Sequence, residues 1–207
     1  MRKLTKSTTV AAAALTAALG MTAGSASAAG TWTVTPGGAW TAKATSPKLL
    51  DTKTGTQLTC SSSSAAGTLK SGSGLSGTAI SSITSVSWTS CTGPLGITFS
   101  VTPNGLPWSL NAVSYNSATG VTTGTLTGVK AHISGAGCTA DFAGPTSTST
   151  ATLTGTYTNS THTLSLSGGD LHAYNVSGTC LGLLNNGDAA TYTANYVLNG
   201  SQTITSP

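Results

Sequence analysis

The sequence predicts an all-β protein, an antiparallel β-sandwich or barrel built from two sequence-similar halves and held by disulfides. Three observations carry this expectation. Short stretches alternate apolar and polar side chains with period two. After position 28 there is no Glu, while Ser and Thr together supply 62 residues. Thr is β-branched and suits a pleated outer face, whereas a helical surface ordinarily draws on Glu, Lys and Arg. Four cysteines, an even number, lie in the same region.

The chain of 207 residues opens with a different kind of segment. Arg2, Lys3 and Lys6 precede an Ala-rich apolar run, which ends at Gly24-Ser25-Ala26-Ser27-Ala28. A charged start, an apolar middle and small residues at the end read as a cleaved secretory signal peptide over 1–28. The formal charge of +4 owes most of its excess to this leader. The five Lys and four Asp that remain leave +1, which gives no electrostatic case for a nucleic-acid partner. No second apolar run approaches the length needed to span a bilayer as a helix. The expected product is a single all-β domain over 29–207, secreted and extracellular, with no membrane span.

The strands are justified in chain order. Trp32 to Thr35 and the residues around Trp40 flank the turn Pro36-Gly37-Gly38. Ile97, Phe99 and Val101 alternate with Thr98, Ser100 and Thr102. Val129, Ala131 and Ile133 alternate with Lys130 and His132, and Leu164 and Leu166 with Thr163, Ser165 and Ser167. Tyr192, Ala194, Tyr196 and Leu198 close the series. Turn residues separate these runs at Asn104-Gly105, Gly168-Gly169 and Asn185-Asn186-Gly187. Ordinary strand and turn lengths give roughly twelve to fifteen strands. The small-residue stretches Ser61–Ala66 and Gly144–Thr150 read as exposed loops.

The halves, about 31–97 and 98–207, are proposed from a repeated order of features. Trp32-Thr33-Val34-Thr35-Pro36, with Trp40 after a Gly turn, is matched by Phe99-Ser100-Val101-Thr102-Pro103, with Trp108 after Asn104-Gly105. Each copy leads to a cysteine, Cys60 or Cys138, and each ends in C-x-G-x-L at Cys91 or Cys180. One bridge per half, Cys60–Cys91 and Cys138–Cys180, is the simplest wiring. No C-x-x-C occurs to favour zinc or redox chemistry.

Chemistry-bearing residues are few, and no catalytic residue, metal or cofactor is expected. Asp170 and His172 share a strand face, so the carboxylate would have to orient the imidazole of a remote hydrolase alternative; no G-x-S-x-G elbow nominates a nucleophile. His132 and His162 lie on other strands. Asp51 and Asp188 read as turn residues, and the acids form no calcium loop. Trp40 and Trp108 are the candidate ligand-binding residues. Exposed beside their turns, they would form a stacking platform for an extracellular glycan or a flat small ligand; the alternative is that each caps part of the core.

Several runs resemble a family of small secreted proteins of filamentous actinomycetes (Streptomyces-type). They are Trp32–Gly38, Gly105-Leu106-Pro107-Trp108 with Leu110–Tyr115, Tyr157–Thr161, and Val176–Leu184. That resemblance implies a secreted protein and brings no activity or site with it. The cysteine count and small-residue composition are also similar to chromophore-binding apoproteins of the neocarzinostatin type, although no motif is shared and this chain is longer. The sequence thus points to a non-catalytic extracellular binding or surface-associated structural module. The alternative is a carrier for a small apolar or aromatic ligand.

Overall fold

Along each strand, Ala, Val, Leu and aromatic residues take the inward positions, and Thr, Ser and Lys face outward. Residues 38–45 show the pattern: Trp40, Ala42 and Ala44 are buried between exposed Ala39, Thr41, Lys43 and Thr45. The computed structural model describes residues 31–207; the leader expected over 1–28 lies outside the described residues.

Fourteen strands form among them. The first seven are β1 (Trp32–Thr35), β2 (Gly38–Thr45), β3 (Lys48–Asp51), β4 (Gln57–Leu69), β5 (Gly72–Leu75), β6 (Ser81–Thr92) and β7 (Thr98–Asn104). The others are β8 (Trp108–Asn116), β9 (Val121–Gly135), β10 (Cys138–Ala143), β11 (Ala151–Thr158), β12 (Thr163–Gly178), β13 (Ala189–Asn199) and β14 (Thr203–Thr205). All pairings are antiparallel.

The pairings close on themselves. At one end of the molecule the circuit runs β2-β4-β6-β8-β9-β11-β12-β13 and returns to β2. At the other end it runs β3-β4-β6-β7-β9-β10-β12-β13 and returns to β3. Long strands β4, β6, β9, β12 and β13 serve both ends, while β2/β3, β8/β7 and β11/β10 are three staves each broken into two short strands. The result is a closed barrel of eight staves. Closure removes the free edges along which open sheets aggregate. Eight strands also set an interior that side chains just fill, or that holds one small ligand. Three staves come from the first half and five from the second, so the halves do not divide the sheet evenly.

A separate three-stranded sheet, β14-β1-β5, lies at the end where β2, β8 and β11 stand. It presents Trp32, Val34 and Ile204 to the core. Tyr157 of β11 donates to the Gln202 carbonyl at 2.7 Å, and the Asn159 side chain pairs with both backbone groups of Ile204 at 2.9 Å. Gly77 is required here, because a Cβ at this position would sit 2.4 Å from the Ala112 carbonyl oxygen and 2.6 Å from the Trp32 indole nitrogen. This end is capped.

Both disulfides are Cys60–Cys91 and Cys138–Cys180. Cys60 and Cys91 are register partners on β4 and β6, and Cys138 starts β10, so both bridges lie toward the other end. One expectation fails: Ser61–Ala66 is not a loop but the middle of β4. Its small inward side chains face large ones. Ser63 is fully buried, bonding the Tyr196 hydroxyl at 2.7 Å and the Ser87 carbonyl at 2.8 Å. Ser61 and Ser64 of the same run face solvent. Gly144–Thr150 does form the connection between β10 and β11.

Candidate functional site

Trp40 and Trp108 form no surface platform. They are 5% and 4% exposed, because both take inward positions on β2 and β8. Trp40 stands opposite Gly67 in the β2–β4 pairing, where any larger side chain would strike the indole. Each indole N–H is satisfied internally: Trp40 donates to Ser81 Oγ at 2.9 Å and Trp108 to the Asn104 carbonyl at 3.0 Å. Both rings line the barrel interior.

That interior is incompletely filled. A central cavity of about 70 Å³ lies between Trp40, Trp108, Leu58, Ile133 and Tyr196. Toward the capped end a second, of about 60 Å³, shares Trp40, Leu164 and Leu166 with it. Toward the disulfide end a third, of about 110 Å³, shares Leu49, Leu58, Ile133 and Phe142. The three stand in file along the barrel, separated by side chains that belong to two cavities at once. The walls of the first two are almost entirely apolar, a setting in which voids stay dry, whereas the third also carries polar residues, Asp51, Thr56 and Gln57 among them. A chain poor in large aliphatic residues and rich in Ala, such as Ala42, Ala65, Ala140, Ala173 and Ala194, cannot fill eight staves completely.

The hydroxyls and indole around the central cavity are mutually bonded. Tyr192 and Tyr196 hydroxyls lie 2.9 Å apart, Ser63 meets Tyr196, and the Trp88 indole donates to Tyr192 at 3.0 Å with the two rings edge-on. Burial, with the neighbouring Tyr196, pushes the Tyr192 hydroxyl well above its ordinary pKa. Burial alone raises Tyr157 to about 12. These phenols stay neutral at any physiological pH and act as fixed dipoles.

Among the described residues no sheet caps the disulfide end. Two short 3-10 turns, Pro94–Gly96 and Cys180–Gly182, follow Cys91 and include Cys180. In each, a leucine adopts the left-handed region: Leu95 at φ 58° and Leu181 at φ 52°. They are 87% and 52% exposed. A positive φ is uncommon for a bulky residue such as leucine. Leu181 lines the third cavity.

Two buried acids stand at the same end. Asp51, last residue of β3, accepts at Oδ1 from the Lys53 and Thr54 amides at 2.8 and 2.9 Å, the turn role expected of it. Asp188 Oδ2 accepts from the Asn185 amide and side chain at 2.8 and 2.9 Å, and Lys53 Nζ lies 3.4 Å from Oδ1. Burial pushes the Asp188 carboxyl up, but the Asn185 bonds and the Lys53 ammonium outweigh it and hold the net value below the usual range. Composition and turn chemistry identified both residues as turn-formers. Their burial, at 4% and 1% exposed, had no sequence signal, because it depends on loops far apart in the chain meeting at the barrel end.

Asp170 does not orient His172. Its carboxylate accepts from the Thr152 amide at 2.6 Å, and His172 Nδ1 donates to the Asp170 carbonyl at 3.0 Å. The acid–imidazole pair that does form is Asp141 with His132, at 2.6 Å on the outer surface. Asn175, then His132, lowers the Asp141 pKa. Sequence reasoning missed this pair because the two residues meet across the β9–β10 register. Among the described residues no three His, Cys, Asp or Glu side chains gather as a metal site, and no helix is long and apolar enough to cross a membrane.

Fold and interior together define a disulfide-bonded, closed antiparallel barrel with an apolar, partly hollow core. The model of one protein family, described as alkane oxidation protein activator PraA/PraB-like, matches residues 1–205. The chain belongs to that family. No curated protein and no solved structure matches it.

Proposed function

We propose that the protein is a secreted, non-catalytic binding protein that takes a thin apolar chain, of the n-alkane kind, lengthwise into its barrel. The file of three adjoining apolar cavities carries this reading. Each is smaller than the roughly 150 Å³ cavity that accommodates a benzene ring, so none suits a compact ring system. A flexible methylene chain is narrow enough to thread all three once the shared leucines change rotamer. The family's name, which speaks of alkane oxidation, agrees with a hydrocarbon ligand and with a role in supplying that substrate to the enzymes that oxidise it.

Glycan binding has less support. The outer wall carries a broad groove of about 680 Å³ lined by residues such as Thr41, Lys43, Ser64, Ser87 and Val197. No aromatic ring stands there for a sugar to stack on. Trp40 and Trp108 thus keep their candidate role as ligand-contacting residues, but from inside the barrel.

The reading is checked by titrating intrinsic Trp fluorescence of the oxidised, leader-free protein. The expected result is a saturable change with a linear alkane, none with chitin or cellulose fragments, and a weaker one with a cyclic hydrocarbon of equal carbon number. Substituting Leu58→Trp, at the wall shared by the central and third cavities, should abolish the alkane response in a protein that remains folded. A response to glycans alone, or equal responses to linear and cyclic hydrocarbons, would overturn it.

A further inference from the structure

The third cavity has one feature that a pure hydrocarbon site does not need. Asp51 lines it, is 4% exposed, and has one oxygen satisfied by its turn. The other oxygen, Oδ2, is buried with no hydrogen-bond partner. Lys53, two residues on, is engaged with Asp188. A buried carboxylate oxygen without a donor is costly, and such groups in folded proteins ordinarily have a partner. The surrounding wall is apolar on the inward side, through Leu49, Leu58, Ile133 and Phe142, and these side chains are shared with the central cavity. The cavity is therefore amphipathic: an acceptor stands at the barrel end and an apolar path leads inward.

We infer that this cavity is a head-group site for a primary aliphatic alcohol, whose hydroxyl donates to Asp51 Oδ2 while its alkyl chain runs inward along the barrel. The inference rests on the reading of the barrel as an alkyl-chain binder and specifies which ligand it prefers. A carboxylate accepts hydrogen bonds and does not donate them. An alkanol supplies the missing donor. An alkane of the same length leaves Oδ2 unpaired, and a fatty acid brings a second negative charge against the first. The order of affinity is then alkanol, alkane, carboxylate. A primary alcohol is also what insertion of oxygen into a terminal C–H bond of an alkane yields, so its supply belongs to the oxidation that the family name describes. Thr122 Oγ1, buried and unpartnered beside the cavity at the capped end, does not set this order, because a hydroxyl both donates and accepts.

The test is a competition series on the oxidised protein, in which a 1-alkanol, the n-alkane and the fatty acid of equal chain length displace a fluorescent alkyl probe. A hydrogen bond to a charged group predicts about 10- to 100-fold tighter binding of the alkanol than of the alkane. Asp51→Asn keeps an acceptor for the turn and puts an amide donor in place of the free oxygen. Because the alkanol oxygen can accept from that amide, the variant should reduce the alkanol's advantage to that of a neutral hydrogen bond, and it should strengthen fatty-acid binding. Equal affinities of wild-type protein for alkanol and alkane would overturn the inference while leaving the alkyl-binding reading intact. Failure of all three to displace the probe would overturn both. The wild-type order decides the matter even if the Asn variant does not fold.

Discussion

The two ends of the barrel are built from the same eight staves and finished in different ways. At the capped end, β1, β5 and β14 lay a small sheet over the opening, and Trp32, Val34 and Ile204 fill the space beneath it. The Asn159 side chain completes the hydrogen bonding of Ile204 as another strand would, so little backbone is left unpaired. At the other end two 3-10 turns, two disulfides and a salt bridge stand where a sheet would be. The largest of the three cavities in file, both exposed leucines at positive φ and the unpaired Asp51 oxygen are all there. One end spends its residues on packing. The other is held by covalent bonds and charge, which brace a rim without filling the space inside it.

Removing the covalent braces is expected to have the largest effect. Loops of 31 and 42 residues closed by the two bridges correspond to about 3.5–4 kcal/mol each. Losing both consumes much of the roughly 5–15 kcal/mol available to a domain. A Cys→Ser variant of all four positions should be unfolded or molten at room temperature by near-ultraviolet circular dichroism, whereas either single pair should leave a folded protein with a lowered melting temperature.

Next in size is Trp32→Ala at the capped end. Truncating a buried Trp costs about 3–5 kcal/mol. Because the damage falls in the cap, hydrogen exchange should speed up first in β1, β5 and β14, with the amides of β3 and β10 still protected. Uniform acceleration across both ends would show that the cap is not a separable unit.

The smallest effect concerns acid. The folded-state pKa of Asp188 is depressed, so its contribution to stability is complete above the unfolded value of about 3.9 and is lost as pH falls through the folded one. Asp188→Asn should cost about 1–3 kcal/mol at neutral pH, the worth of hydrogen bonds to a charged group. Denaturant melts at pH 7 and at pH 2 would check this: the difference between wild type and variant should be large at the first and small at the second. A difference independent of pH would assign the effect to packing alone.

The strand pattern was legible because period-two alternation needs only near neighbours in sequence. The Tyr192–Leu198 and Val129–Ile133 alternations correspond directly to the inward faces of β13 and β9. The pairing preferred from the sequence, Cys60–Cys91 and Cys138–Cys180, is the one that forms. Ser61–Ala66 was misread for a physical reason. Small polar residues are common on loops, and only the tertiary pairing shows that Ser63 is buried against the Tyr196 hydroxyl two strands away. The depth of Trp40 and Trp108 was hidden. A Trp after a glycine turn begins a strand equally well with its ring facing out or in, and the choice between those faces is made by what lies opposite.

The sequence by itself determined the local features: the alternating strands, most of the residues that turn the chain, and a surface made of hydroxyls rather than charges. Those features depend on backbone preferences and on contacts between residues close in the chain. Closure of the barrel, the file of cavities and the burial of Asp51 were decided only by the tertiary structure. Each arises where segments far apart meet, β13 against β2 or Asp51 beside the Cys180 turn. The space left between such segments is a property of their sum, and no single stretch of sequence records it.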